Sequence, residues 1–428
     1  MDHLLPPDQN ELNERIRLSE ERLQAPYYCL PDVFSPKTYD WPGDKEGRAL
    51  LAFTCHYRMT GRKIPAMDEL VAALPAHTNE HHYFGALAGT EIDEQQLSGH
   101  NWYLNGLLSY YELFGDKTVL QYAKDTVEHL YLPLLGRFES YPLNREEQAG
   151  GISGNITTVI GQWKLSSDIG CAFMSIDGLA RYYALVKDPR VLALLKEMQA
   201  KFDAIDKMAI EAQTHCCLTA ARGFLTLYAA ANDPAFLDSA RKIADLYERA
   251  GMTYTYENYN WWHKGNTWTE PCAVVDSLIL FGELYKITKD EHFRTLAVRV
   301  WHNGFASCQT SGGGAGSNTT VGATLDTLAV MSFENPFCCS MRLASGLLWA
   351  KENADLLYAS VGPVSKNEAG VYMAGDLVLA AVTIDPAYEA LIDRSKEITA
   401  DGIRLMPLVK LYRLPEAAAR SLREKTVF

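Results

Sequence analysis

One local pattern recurs from about residue 100 to residue 355, and it restricts the chain to folds built from helical hairpins. Each copy has an aromatic-rich run at helical spacing, a short polar break that contains Asp, and a second amphipathic run. The copies read NGLLSYYELFGDKTVLQYAKDTVEHL, GLARYYALVKDPRVLALLKEMQAKF, RGFLTLYAAANDPAFLDSARKIADLYERA and SLILFGELYKITKDEHFRTLAVRVWHNG. Their breaks fall at Gly115-Asp116, Lys187-Asp188-Pro189, Asn232-Asp233-Pro234 and Lys289-Asp290. Asp accepts hydrogen bonds from first-turn amides, and Pro suits the first helical position, so each break ends one helix and starts the next. Apolar positions at i, i+3 and i+4, as in Leu225, Tyr228 and Ala229, predict one buried stripe per helix.

The breaks are irregularly spaced, unlike those of a solenoid with a short fixed repeat. Irregular spacing suits a closed ring of hairpins whose variable loops gather on one face. The expected fold is therefore all-α, an (α/α)6 toroid over residues 1–355; an irregular helical bundle or open solenoid is the alternative. After Asp355, LLYASVGPVSKNEAGVYMAGDLVLAAVTI alternates branched or aromatic residues with small ones around Gly turns. A small β-rich region is expected over 356–428, with Leu414 to Phe428 returning to helix-like composition.

Charge narrows the function classes. With 40 Lys+Arg against 53 Asp+Glu, a net charge of -13 and no basic run, the 428-residue chain lacks the surface that binds nucleic acid. Met1 to Gln24 has neither a basic leader nor a continuous apolar stretch, and nowhere does an apolar run approach the roughly 18 residues of a membrane span. The expected setting is cytoplasmic, with no membrane partner; a homo-oligomer is compatible with it. In a reducing compartment nine cysteines exceed structural need, and an odd number makes a poor disulfide framework.

Glu270 and Cys272, then Cys338 and Cys339, offer four ligands of kinds that zinc accepts, and a soft S3O set disfavours Mg²⁺ and Ca²⁺. The alternative is that these are small buried residues, with Glu270 serving a helix start. The second thiol pair, in His215-Cys216-Cys217, opens a strongly helical run and reads as core packing.

Glu-x-Cys followed by Cys-Cys among helical hairpins resembles glycoside hydrolase family 127, the β-L-arabinofuranosidases, and its relatives. HNWYLNGLLSYYELFGDK, from His100, looks like that family's His-x-x-Tyr helix, and THCCLTAARGFLTLYAAANDPAFLDSA is similar to its later His-bearing helix. The resemblance covers roughly residues 80 to 355. It implies a retaining glycosidase acting on a small glycoside or oligosaccharide, with Glu270, Cys272, Cys338 and Cys339 holding Zn²⁺ and Cys338 as nucleophile. It also implies an acid/base carboxylate in the aromatic loop YTYENYNWWHKGNTWTEPC, where Glu257 is the candidate. The chain departs from the family pattern at Gly106-Leu107, where Gly-His is common, and at Met341-Arg342, near the place of a Pro-Asn pair.

Flat aromatic faces stack on sugar rings, so Tyr259, Trp262 and Trp268 join His100 and His215 as candidate substrate contacts; core packing is the alternative for the aromatics. Two other functions fit the same residues. One is a toroid sugar isomerase or epimerase in which His100, His215 and His263 move protons. The other is a non-catalytic relative in which zinc only ties the 270 and 338 loops together. The loop SGGGAGSNTT, from Ser311, lacks a phosphate-loop ending and reads as a flexible cover or a surface linker.

Overall fold

A computed structural model describes residues 9–35, 41–143, 156–253, 256–262, 267–310, 312–318, 331–335, 338–358, 365–366, 372–374, 377–380 and 410–411. The chain forms two compact units. One takes Met1–Ala25, Gly251–Asn260 and Lys264–Phe428, and opens with helix α1 (Gln9–Arg22); the other takes Pro26–Ala250 and Trp261–His263.

In the unit that starts at Pro26, the described residues form four hairpins. They are α2 (Asp44–Thr60) with α3 (Ala66–His77), α4 (Glu94–Phe114) with α5 (Lys117–Thr126), α6 (Ser175–Val186) with α7 (Pro189–Ala204), and α8 (Thr214–Ala231) with α9 (Pro234–Leu246). The first helices of the hairpins, α2, α4, α6 and α8, pack on one another in that order. The approach of α2 to α4 is close enough to require glycine: a Cβ on Gly47 would lie 2.2 Å from the Tyr103 nitrogen, and one on Gly106 would lie 2.6 Å from the Gly47 carbonyl oxygen.

The last three of these hairpin breaks are built alike. A residue in the left-handed conformation, Gly115, Lys187 or Asn232, ends the first helix, and the following Asp116, Asp188 or Asp233 accepts first-turn amides of the second. The expected single stripe holds only for the outer helices. α5 buries Val119, Ala123 and Thr126, whereas every residue of α4 from Glu94 to Tyr110 is buried, because inner helices are covered on all sides. In α8 the buried run ends at Leu227, and Tyr228 and Ala229 emerge towards the exposed break that follows. Strands β1 (Ile92–Asp93), β2 (Ile156–Ile160) and β3 (Trp163–Ser166) form a sheet in the order β1-β3-β2, parallel between β1 and β3. Asp93, the last residue of β1, caps α4 by accepting from the amides of Gln95 and Gln96.

The other unit carries the fourth anticipated hairpin, α10 (Pro271–Thr288) with α11 (Glu291–Arg299), whose break is made by left-handed Lys289 and the cap Asp290. A π-helical turn (Val300–Phe305) and the short α12 (Ala306–Cys308) follow, then antiparallel strands β4 (Ala315–Asn318) and β5 (Met331–Asn335), then α13 (Cys338–Glu352) and α14 (Ala354–Tyr358). Helix α13 packs against both α10 and α1. Four short strands, β6 (Ser365–Lys366), β7 (Tyr372–Ala374), β8 (Leu377–Ala380) and β9 (Lys410–Leu411), form an antiparallel sheet, and β9 lies against the Val300–Phe305 turn. That contact is why the strand-rich region belongs with these helices. The helix expected at Leu414 to Phe428 lies outside the described residues.

Where it is described, the glycine-rich stretch is neither a cover nor a linker. Residues 313–317 are buried, and Gly313, at φ +86, approaches α1 so closely that a Cβ would lie 2.0 Å from the Leu18 carbonyl oxygen. Among the described residues, no helix is long and apolar enough to cross a membrane.

Candidate metal centre

Helices α10 and α13 each begin at the centre. Pro271 at the first position of α10 needs no amide partner, and Cys272 follows it in the first turn; Cys338 and Cys339 are the first two residues of α13. One donor atom from each of Glu270, Cys272, Cys338 and Cys339 lies within 4.8 Å of all the others. The Cys272 and Cys339 sulfurs are 3.4 Å apart, and those of Cys338 and Cys339 are 3.6 Å apart. These are free thiols, well beyond the roughly 2.05 Å of a disulfide. Cys272 and Cys339 are fully buried, whereas Cys338 is partly exposed.

A tetrahedral zinc with bonds of about 2.3 Å to sulfur sets its sulfurs about 3.8 Å apart, close to what is observed. Glu270 occupies the N-cap position of α10, yet its side chain makes no capping hydrogen bond, and its carboxylate is grouped with the thiols instead. Burial and the neighbouring Cys272 and Cys338 thiols push the Cys339 thiol well above its ordinary range. Three ionised sulfurs and a carboxylate would repel strongly there without a cation, and two helix N-termini add favourable potential for the anionic set. The donor set therefore fits zinc.

The loop preceding α10 is tied to this centre. Met252 and Asn258 form a β-bridge, the Thr253 amide donates to the Glu257 carbonyl at 2.8 Å, and Tyr256 turns the chain at φ 61. Gly304 abuts this turn, with room for no Cβ beside the Tyr256 carbonyl oxygen, 2.2 Å away. The Asn258 side-chain oxygen then accepts the Glu270 amide at 2.7 Å. Glu257 is thus fully buried, one residue from a group bonded to a centre residue. Tyr259 and Trp268 are half-buried in the same unit. His263 and Tyr254 lie outside the described residues.

The remaining candidates belong to the other unit. His100 is fully buried; its Nε2 accepts the Phe84 amide at 2.9 Å and its Nδ1 donates to the Gln96 carbonyl at 2.7 Å. Both ring nitrogens serve the main chain, so His100 holds the residue 84 loop and has no nitrogen left for a sugar. Trp262 is likewise buried, and its indole N–H donates to the Cys217 sulfur at 3.3 Å, which makes it a core residue and not a stacking platform. Burial raises that Cys217 thiol to about 11, and Cys216 donates to the Gln213 side chain, so the second thiol pair is packing material, as its sequence suggested. His215 stacks on Trp102 with ring centroids 5.9 Å apart.

Burial lowers His100 to a pKa of about 4, which gives a stability prediction. The unfolded imidazole takes up a proton near pH 6.5 and the folded one does not, so this contribution is complete above pH 6.5 and lost as pH falls towards 4. The loss amounts to about 3 kcal/mol. Urea unfolding between pH 7.5 and 4.5 should show it, and His100→Gln should flatten the slope; equal slopes in the two proteins would refute it.

Two features of the centre were missed by sequence reasoning. Asn258 gave no signal, being one of several polar residues in an aromatic loop. Asp276 and Arg342 gave one that went unread: each is the one charge in the first ten residues of its helix, a turn beyond a centre cysteine. They form a buried ion pair between α10 and α13.

No protein-family model matches the chain, and no curated protein matches it in sequence. Solved structures of similar fold do. A GH127 β-arabinofuranosidase is similar at 13% identity and TM-score 0.50, over 79% of this chain and 56% of that one, so the chain spans little more than half of that enzyme. A cellobiose 2-epimerase from Bacillus thermoamylovorans is similar at 14% identity and TM-score 0.51, over 78% of this chain and 99% of that one. A GH76 α-mannanase from Bacteroides thetaiotaomicron is similar at 12% identity and TM-score 0.51, over 82% and 96% respectively. Identities this low speak to fold, and the fold class of this chain is the (α/α)6 toroid with a small β-rich appendage.

Proposed function

We propose that the chain is a retaining glycosidase in which Glu270, Cys272, Cys338 and Cys339 hold one zinc ion and Cys338 is the nucleophile. The observation that carries this reading is the convergence of those four donors at two helix starts, with one thiol partly exposed and the other two buried. The bound zinc would supply ionised cysteines at neutral pH. Cys338, as the first residue of α13, also receives the positive end of that helix dipole, which favours the thiolate.

The chemistry is double displacement. The Cys338 Sγ attacks the anomeric carbon and forms a C–S bond as the glycosidic C–O bond breaks, and the leaving oxygen takes a proton from the acid/base carboxyl. Water then attacks the same carbon, gives its proton to that carboxylate, and the C–S bond breaks to return the thiolate; two inversions retain the anomeric configuration. Glu257 is our candidate acid/base group: the Asn258–Glu270 hydrogen bond fixes its loop to the centre, and its fully buried carboxyl would reach a leaving oxygen only with a movement of that loop. Tyr259 and Trp268 are proposed sugar contacts, and a small β-L-arabinofuranoside is the first substrate to try.

The likeness to a β-arabinofuranosidase supports the reading, but an epimerase shares the fold, so the thiol centre has to separate them. An isomerase would rely on His100, His215 and His263; of these, His100 has both nitrogens occupied by main-chain groups, and His263 lies outside the described residues. The test is metal analysis of the purified protein with turnover of an aryl β-L-arabinofuranoside followed by NMR of the product anomer. About one zinc per chain and retained configuration are expected; a metal-free protein of full activity, or an inverted product, rules the mechanism out.

A further inference from the structure

Resting on that reading of the centre, we propose that the buried Asp276–Arg342 pair is a positioning device, which sets the register between α10 and α13 and thereby the spacing of the four metal donors. Asp276 lies four residues beyond Cys272 on α10, and Arg342 lies three beyond Cys339 on α13. Residues three or four apart share a helix face about one turn apart, so the pair stands one turn behind the thiols, between the two helices that carry them. Arg342 donates to Asp276 Oδ1 through Nε at 3.0 Å and also through Nη2. Their side chains are 2% and 0% exposed.

The rest of the α10–α13 contact also fixes register, but farther from the thiols, where the Trp349 indole N–H of α13 donates to Glu283 of α10 at 2.7 Å. Gly282 of α10 receives the Trp349 ring of α13, and Val275 meets the glycine face at Gly346. The Trp349–Glu283 contact lies two turns beyond the pair, so a slip or rotation at the thiol end has to be resisted nearer the thiols. A buried guanidinium bonded twice to one carboxylate tolerates neither, since any slip leaves charge without its partner. Four donors on two separate helices need their spacing held to a few tenths of an ångström, and this pair is placed to hold it.

The test separates register from stability. Replacing a buried ion pair by apolar residues of similar size is often neutral for stability. Asp276→Leu/Arg342→Met should therefore melt close to the parent protein when both are stripped of metal. Its zinc affinity, measured by chelator competition, should fall by on the order of 10- to 100-fold, as for other residues that orient ligands from behind. Cobalt substitution should give shifted thiolate-to-cobalt bands. Zinc affinity within about threefold of the parent, with an unchanged cobalt spectrum, overturns the proposal. Arg342→Lys keeps the charge and removes the two-point contact, so it covers the case of a misfolded double variant: weakened zinc binding supports the role and parent-like binding defeats it. A parent protein that binds no zinc would instead overturn the metal centre itself.

Discussion

On the proposed mechanism, Cys338→Ala should abolish glycoside turnover, lowering kcat by about 10⁴-fold or more, while the variant remains folded. A loss of that size follows when the attacking group itself is removed, because no other side chain can form the covalent intermediate. Among the three thiols of the centre the structure favours this one. Cys272 and Cys339 have no exposed surface, and a sulfur that cannot be reached cannot attack a sugar carbon; Cys338 alone is partly open. The variant keeps Glu270, Cys272 and Cys339, so zinc binding weakens but need not vanish, which separates loss of the nucleophile from loss of the metal. Turnover within tenfold of the parent would show that Cys338 is only a ligand, and would leave the structural role of the centre standing without the mechanism.

What could be read from the sequence was local. The hairpin breaks were legible because capping is chemistry between neighbours: a left-handed residue followed by Asp writes its meaning into two positions, as at Asn232-Asp233. The four donors were legible because thiols and a carboxylate are rare enough at a helix start to stand out. What failed depended on contacts distant in sequence. His100 and Trp262 looked like ligand groups until the Phe84 amide and the Cys217 sulfur were found to occupy them. The glycines near Ser311 looked like freedom, but Gly313 is small because the Leu18 carbonyl stands against it.

Removing Cys339 should reveal how strongly the centre ties α10 to α13. As a buried thiol in plain packing, Cys339→Ala would leave a small cavity and cost about 1 kcal/mol, which moves the melting temperature of a chain this size by only a few degrees. As a metal ligand its loss also removes the stabilisation that binding contributes, about 4 kcal/mol when free zinc stands a thousandfold above Kd. The two readings diverge further under a chelator. With zinc in place, chelation should lower the parent melting temperature by roughly the same amount as the substitution, and should lower that of Cys339→Ala far less, because a three-ligand centre binds zinc weakly and has little stabilisation to strip. Non-additivity of that kind is the signature of two perturbations acting on one bound ion. If chelator and substitution instead lower the melting temperature additively, or if chelation does nothing to the parent, the four side chains pack together without holding a metal.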